Sequence, residues 1–439
     1  MNTLNQILII TKSYWIPLLF AGFIITITGC DILNVNNPNS LIEEDLNNPA
    51  AAPAIANGAE ATLTNALGDL LAPYSTATDE LTWIGTRDGW QELDQGMLDN
   101  PINEFTDGAF NSISESRWTA DNAISRLKAF REEGALQSNL PLIRSYLYGA
   151  VNYLSIASSF DDVVIGDRQE PAPAIGEGNM DQLYQTAIDY LNSGLALVQS
   201  GSEWEARLLA IRARAHYEEA LWNKLNPDIA SSDPLVQSAD AVNDAEEALA
   251  IIQDGADWNY RLGVSSQTPN NNMAFQVNER LELRIGNSFI EPTDDNTKAE
   301  SVSLEDPIDE IPAPFLEAEI DAFVEANEYA DITVVSAREL HLIIAEDALA
   351  RNDSQSFEST INDLRALDGL TDYQGQVPAL ELLQHSRQVN LFLQGRRLAD
   401  LYRFEQTSPE WNLNRVEEGT FFPITITEIR ANPNLSLEN

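Results

Sequence analysis

Residues 335–367 read VSARELHLIIAEDALARNDSQSFESTINDLRAL. Two helical stretches, 335–352 and 355–367, lie in this segment with a short link between them. In the first, Leu340, Ile344 and Ala348 fall in line at steps of four, with Ala345 and Leu349 alongside. Small residues on that seam let another helix cross closely. Gly369, just past the second stretch, is a stop signal.

The same grammar extends outward. Residues 50–71 are Ala/Leu-rich, and 116–133, 139–160, 179–200, 203–225, 236–253 and 377–404 show helical periodicity. Gly134 and Asn226-Pro227 are further stops. In 203–225, Trp204, Leu208, Ile211, Ala215 and Trp222 share one face, which reads as core. Arg207, Arg212, Arg214, Glu218 and Glu219 suit a wetter face. Three pairs stand out: 116–133 with 139–160, 179–200 with 203–225, and 335–352 with 355–367. Consecutive helix pairs are the unit of tetratricopeptide-type solenoids. The expected fold is mainly α, a tetratricopeptide-like helical-repeat scaffold with long irregular loops and a few short strands. The interruptions are 72–115 and 254–334, rich in Gly, Pro and Asn. Alternation at 275–277 and 281–285 predicts short strands there. Irregular insertions of this length are commonly functional.

The chain has 439 residues, 44% apolar and 21% charged, an ordinary globular composition. Lys and Arg number 25 against 69 acids, a formal net charge of −44. Such a surface repels phosphate backbones and argues against nucleic-acid partners. One Cys cannot form an internal disulfide. The three His (His216, His341, His385) are dispersed, which argues against a histidine-rich metal site. No cofactor is implied.

Lys12 precedes an apolar run from Tyr14 to Ile25, which ends in Ile27-Thr28-Gly29-Cys30. This pattern reads as a secretory signal over 1–29. A Cys after small residues, and the only Cys in the chain, resembles a bacterial lipobox, in which Cys30 is lipidated. Residues 30–49 read as a tether, and 50–439 as one domain. Cleavage would leave 24 basic and 69 acidic residues, a net charge of −45.

Five motifs in order resemble the SusD/RagB family of outer-membrane nutrient-binding lipoproteins. They are Cys30 with its Asn/Pro-rich start; Arg144-Ser145-Tyr146-Leu147-Tyr148 running to Phe160-Asp161-Asp162-Val163-Val164; Glu339 to Arg351 with Ile361-Asn362-Asp363-Leu364-Arg365; Gly395-Arg396-Arg397-Leu398-Ala399-Asp400-Leu401-Tyr402-Arg403; and Phe422-Pro423-Ile424-Thr425 with Asn432-Pro433-Asn434-Leu435. Family positions are altered at Asp161, Val164, Ser386, Asn390 and Gln394. The resemblance implies a lid over a SusC-like TonB-dependent β-barrel transporter, lipid-anchored to the outer membrane and facing the exterior. Such a lid captures an oligosaccharide or a peptide and does no chemistry.

Candidate ligand residues are Trp83, Arg87 and Trp90 in the first insertion, and Trp258, Tyr260 and Arg261 in the second. Indole faces stack on sugars, and charged groups hydrogen-bond hydroxyls. The same aromatics could instead pack the loops onto the scaffold. Arg397, Asp400 and Arg403 read as a structural motif, with Arg397 and Asp400 able to pair at i, i+3. Asp161-Asp162 reads as a turn device. No hydrolase elbow, phosphate loop, zinc-protease or dinucleotide motif occurs. The alternative function is a repeat scaffold that assembles envelope proteins without binding a nutrient.

Overall fold

The computed structural model describes residues 45–167, 170–226, 233–252, 257–268, 270–291, 301–416 and 419–436. Cys30 and the signal segment 1–29 lie outside them, as does most of the 30–49 tether. The chain divides into a short unit, Met1–Asn48, and a compact unit, Pro49–Asn439. All elements named below belong to the second.

Among the described residues, seven α-helices occupy its first half: α1 (Ala52–Thr76), α2 (Asp88–Asp94), α3 (Glu104–Glu132), α4 (Leu140–Ala157), α5 (Asp181–Leu195), α6 (Glu203–Leu225) and α7 (Ala239–Ile251). After a single helical turn at Asn272–Ala274, six more follow among the described residues: α8 (Pro314–Glu325), α9 (Ala337–Ala350), α10 (Ser354–Ala366), α11 (Ala379–Asn390), α12 (Arg397–Arg403) and α13 (Ile426–Ala431). The long helices stack on their chain neighbours, α3 on α4, α4 on α5, α5 on α6, α6 on α7 and α9 on α10. That is the expected helical-repeat architecture. α1 joins the stack by packing on α3 and α4, and its Ala56, Ala59, Leu63, Ala66 and Leu70 are buried. Gly149 makes the crossing near α5 possible, because a Cβ there would sit 2.8 Å from the Tyr190 ring.

Local signals set the boundaries. The Ser336 side chain accepts from the Glu339 amide to open α9, and Asp353 accepts from Ser356 to open α10. Between them Asn352 takes φ +58, a conformation Asn tolerates. Gly134 and Gly369 both sit at φ +68 past helix ends. Leu342, Ala345, Ala348, Phe357, Ile361 and Leu364 close one cluster with Leu382 and Leu383 of α11. Burying each large aliphatic here contributes about 1.5–3 kcal/mol.

Among the described residues four strands form two ribbons. β1 (Leu81–Trp83) pairs antiparallel with β3 (Leu283–Ile285), and β2 (Asn259–Leu262) with β4 (Ile332–Ser336). The second register is Tyr260 opposite Val335, then Arg261 opposite Thr333, so Val334 is bulged out.

Several expectations change. Residues 377–404 are two helices, because Leu393 at φ +57 and Gly395 at φ +73 reverse the chain between α11 and α12. Residues 275–277 lie in a π-turn, Phe275–Glu279, not a strand. The insertions are less irregular than expected: 72–115 holds the end of α1, all of α2 and the start of α3, and 254–334 holds α8. In α6, Trp204 and Trp222 are only half-buried, whereas Arg214 and Glu218 are buried and paired at 2.6 Å. Helices on several sides of α6 leave it no wet face at those positions.

Candidate functional site

Two charged regions organise the molecule. The first is buried where α6, α9, α11 and α12 meet. Glu346, with no exposed surface, accepts from Tyr217 Oη (2.8 Å), Val236 N (2.8 Å), Arg387 (3.4 Å) and Arg403. Asp400 accepts from Arg387 Nε (2.8 Å) and twice from Arg403 (2.9 and 2.7 Å). Glu339 takes two bonds from Arg396 (2.8 and 3.2 Å). Burial raises the pKa of Glu346 and Asp400, but the facing guanidiniums of Arg387 and Arg403 overcome it and hold both below the usual carboxylate range. The β4 bulge joins this network: the Val334 carbonyl, freed from the ladder, accepts from Arg214 (3.2 Å) and Arg396 (3.1 Å).

Arg397 does not pair with Asp400. It donates to both oxygens of Asp79 at 2.7 and 2.8 Å, from the far end of the chain, and Asp400 is taken by Arg387 and Arg403. Asp161 and Asp162 act in turns: Asp161 accepts from Phe421 N (3.0 Å), and Asp162 from Val163 N (2.7 Å) and Gly176 N (2.8 Å).

The second region is built by the ribbons and loops. Glu282, beside β3, accepts from Thr86 N (2.8 Å) and Arg87 N (3.2 Å), which anchors the loop after β1. Trp83 ends β1 half-buried, opposite Leu283. Trp90 is 0% exposed and stacks on Phe105 with centroids 3.6 Å apart. A fully enclosed indole cannot lie on a sugar, so Trp90 is a packing residue. Arg87 lies 4.8 Å from the Phe105 centroid and pairs with Glu104 at 2.8 Å. Tyr260 is likewise buried, beneath the Arg207 guanidinium 4.7 Å from its ring. Trp258 is half-buried, and its carbonyl receives the Ala337 amide. Arg261 pairs with Glu319 of α8 at 2.7 Å.

Of the six candidates, Arg261 borders a cleft of ≈ 240 Å³ between α8, the β2–β4 ribbon and the α11–α12 reversal; the other five do not line it. Its walls carry Glu319 and Phe323 of α8, then Tyr329, Asp331 and Thr333. Its floor is Phe392, Leu393 and Gln394. Apart from Arg261, none of these residues is a ligand candidate from the sequence, although Gln394 stands out there as an altered family position. The signal was present for α8: Pro314 at a helix start, then Leu316, Ile320 and Phe323 at steps of four and three. Among the described residues no group of three or more His, Cys, Asp or Glu could hold a metal ion. Nor is any helix among them long and apolar enough to cross a membrane.

Scanning the sequence against protein-family models and against curated proteins gives no match. Solved structures do match in fold. A SusD superfamily protein from Bacteroides fragilis is 11% identical with a TM-score of 0.64, over 89% of this chain and 99% of that one. One from Parabacteroides distasonis is 14% identical with a TM-score of 0.63, over 90% and 99%. A SusD-like carbohydrate binding protein from Bacteroides vulgatus is 14% identical with a TM-score of 0.57, over 88% and 97%. The chain shares its fold with these structures over 88–90% of its length.

Proposed function

We propose that this chain is an outer-membrane lipoprotein, anchored through Cys30 and facing the exterior. In this reading it binds an oligosaccharide in the α8 cleft and passes it to a SusC-like TonB-dependent transporter. The observation that carries the reading is the SusD-superfamily fold over 88–90% of the chain, shared with a protein described as carbohydrate binding. The cleft chemistry supports it. Phe323 and Tyr329 supply ring surface, and Arg261, Glu319 and Asp331 supply donors and acceptors for hydroxyls, above a floor closed by Phe392 and Gln394. Two carboxylates to one guanidinium favour uncharged sugars over polyuronates. The role is binding without catalysis.

Titration calorimetry of the chain from residue 31 onward, against maltohexaose, cellohexaose, laminarihexaose and xylohexaose, tests the site. Tyr329→Ala and Arg261→Ala should each weaken binding about tenfold, and unchanged affinity in both removes the cleft from consideration. Capture of the full-length protein from detergent-solubilised membranes tests the partner. A large β-barrel at near-equal amounts supports uptake, whereas recovery of periplasmic proteins alone favours the envelope-scaffold alternative.

A further inference from the structure

We propose that Glu80 is a positioning residue for the cleft: its buried side chain grips the Leu393 amide and so fixes the floor formed by residues 392–394. The proposal rests on the cleft being the ligand site. Leu393 lies at φ +57, which is strained for a leucine and persists when the surroundings impose it. What imposes it is visible. Leu393 N donates to Glu80 Oε1 at 2.7 Å, across 313 residues of chain, and Glu80 is 1% exposed.

Glu80 is itself held. Its own carbonyl accepts from Gly286 N at 2.8 Å, next to β3, so the β1–β3 ribbon sets its place. Asp79, one residue earlier, clamps Arg397 at the start of α12. Two consecutive acids therefore hold both sides of the α11–α12 reversal, one at residue 393 and the other at residue 397. Gly395 completes the bend at φ +73, where a Cβ would meet Leu71 at 2.9 Å. The neighbours of Leu393 are the cleft floor. Phe392 packs on Phe289 with centroids 4.9 Å apart, and Gln394 is tied back to the Asn390 carbonyl at 3.0 Å. Neither could hold its place if residue 393 relaxed to an ordinary φ, because the chain direction through the floor would change.

Hydrogen-exchange mass spectrometry on residues 391–396, joined to calorimetry with the same four hexasaccharides, tests the grip. Glu80→Leu should speed exchange there about tenfold and weaken binding by a similar factor. Glu80→Gln keeps an acceptor oxygen and should restore both. Leu393→Gly in the Glu80→Leu background should recover affinity, because glycine adopts positive φ unaided. Unchanged exchange in Glu80→Leu overturns the proposal, as does faster exchange with unchanged affinity. If Glu80→Leu does not fold, the Leu393 amide proton in Glu80→Gln decides: it should move upfield at pH 8 as a charged acceptor becomes neutral, and an unmoved resonance overturns the assignment. Tyr329→Ala separates the two readings. Undiminished affinity there sinks the cleft as ligand site, while exchange at 391–396 still reports on the Glu80 contact.

Discussion

The helical stack and the loop-built face use ion pairs in opposite ways. In the stack, Glu346, Asp400, Arg387 and Arg403 are all at least 97% buried, and each acid meets two guanidiniums. On the loop face, Arg261 and Glu319 keep about a third of their side chains exposed (33% and 30%), and Arg87 with Glu104 more (37% and 54%). A buried pair leaves a stranded charge when one partner is removed; an exposed pair returns its survivor to water. The first arrangement is therefore bound into the architecture. The second leaves charged groups free to exchange partners with a ligand.

The sharpest way to break this contrast is Glu346→Leu. It leaves Arg403 and Arg387 with only Asp400 between them, and it should destabilise by about 3–5 kcal/mol. A denaturant midpoint close to wild type would show that the network is dispensable. Trp90→Ala should fall in the same range, about 3–5 kcal/mol, because a core indole is lost. Its effect on binding should track the unfolded fraction alone, so weaker binding by fully folded protein would return Trp90 to the site.

Acidity sharpens the comparison next. Burial pushes Glu80, Asp94 and Asp161 up to about 7. Their folded pKa exceeds the unfolded one, so the stability they contribute is fully present below about pH 4 and lost as pH rises through 7. Glu346, Asp400 and Glu339 are held low by arginines despite burial. Their contribution is present above about pH 4 and lost as pH falls below it. Thermal melts from pH 3 to 9 should therefore peak between about pH 4 and 6. A Tm that climbs steadily to pH 8 would contradict the assigned shifts. The smallest stability effect is expected for Arg261→Ala, under about 1 kcal/mol, measured by the same melts. Its binding effect should still be about tenfold.

How much of this was legible beforehand follows from range. Periodicity read α6 to the residue and α9 and α10 within two, because capping and side-chain spacing act over a few residues. It ran α11 and α12 together, because the reversal at residues 393–395 depends on Glu80 and Leu71, each more than 300 residues away. The motif residues Glu346, Asp400 and Arg403 were visible as a pattern. Their pairing was not, and Arg397 chose Asp79 over the nearer Asp400. The residue types of the insertion aromatics suit ligand contacts, yet burial commits Trp90 and Tyr260 to packing. The cleft rests instead on α8, whose Pro314 start is readable although the Gly, Pro and Asn around it mark the stretch as an irregular insertion.

The sequence by itself thus determined the helical scaffold, the acidic surface and the motifs that resemble the SusD/RagB family. All of these reside in local spacing and composition. Only the tertiary structure decided which acid meets which arginine, which aromatic stays accessible and where a cleft opens. Those outcomes depend on contacts between segments far apart in the chain, and burial, not residue type, sets the energy of each.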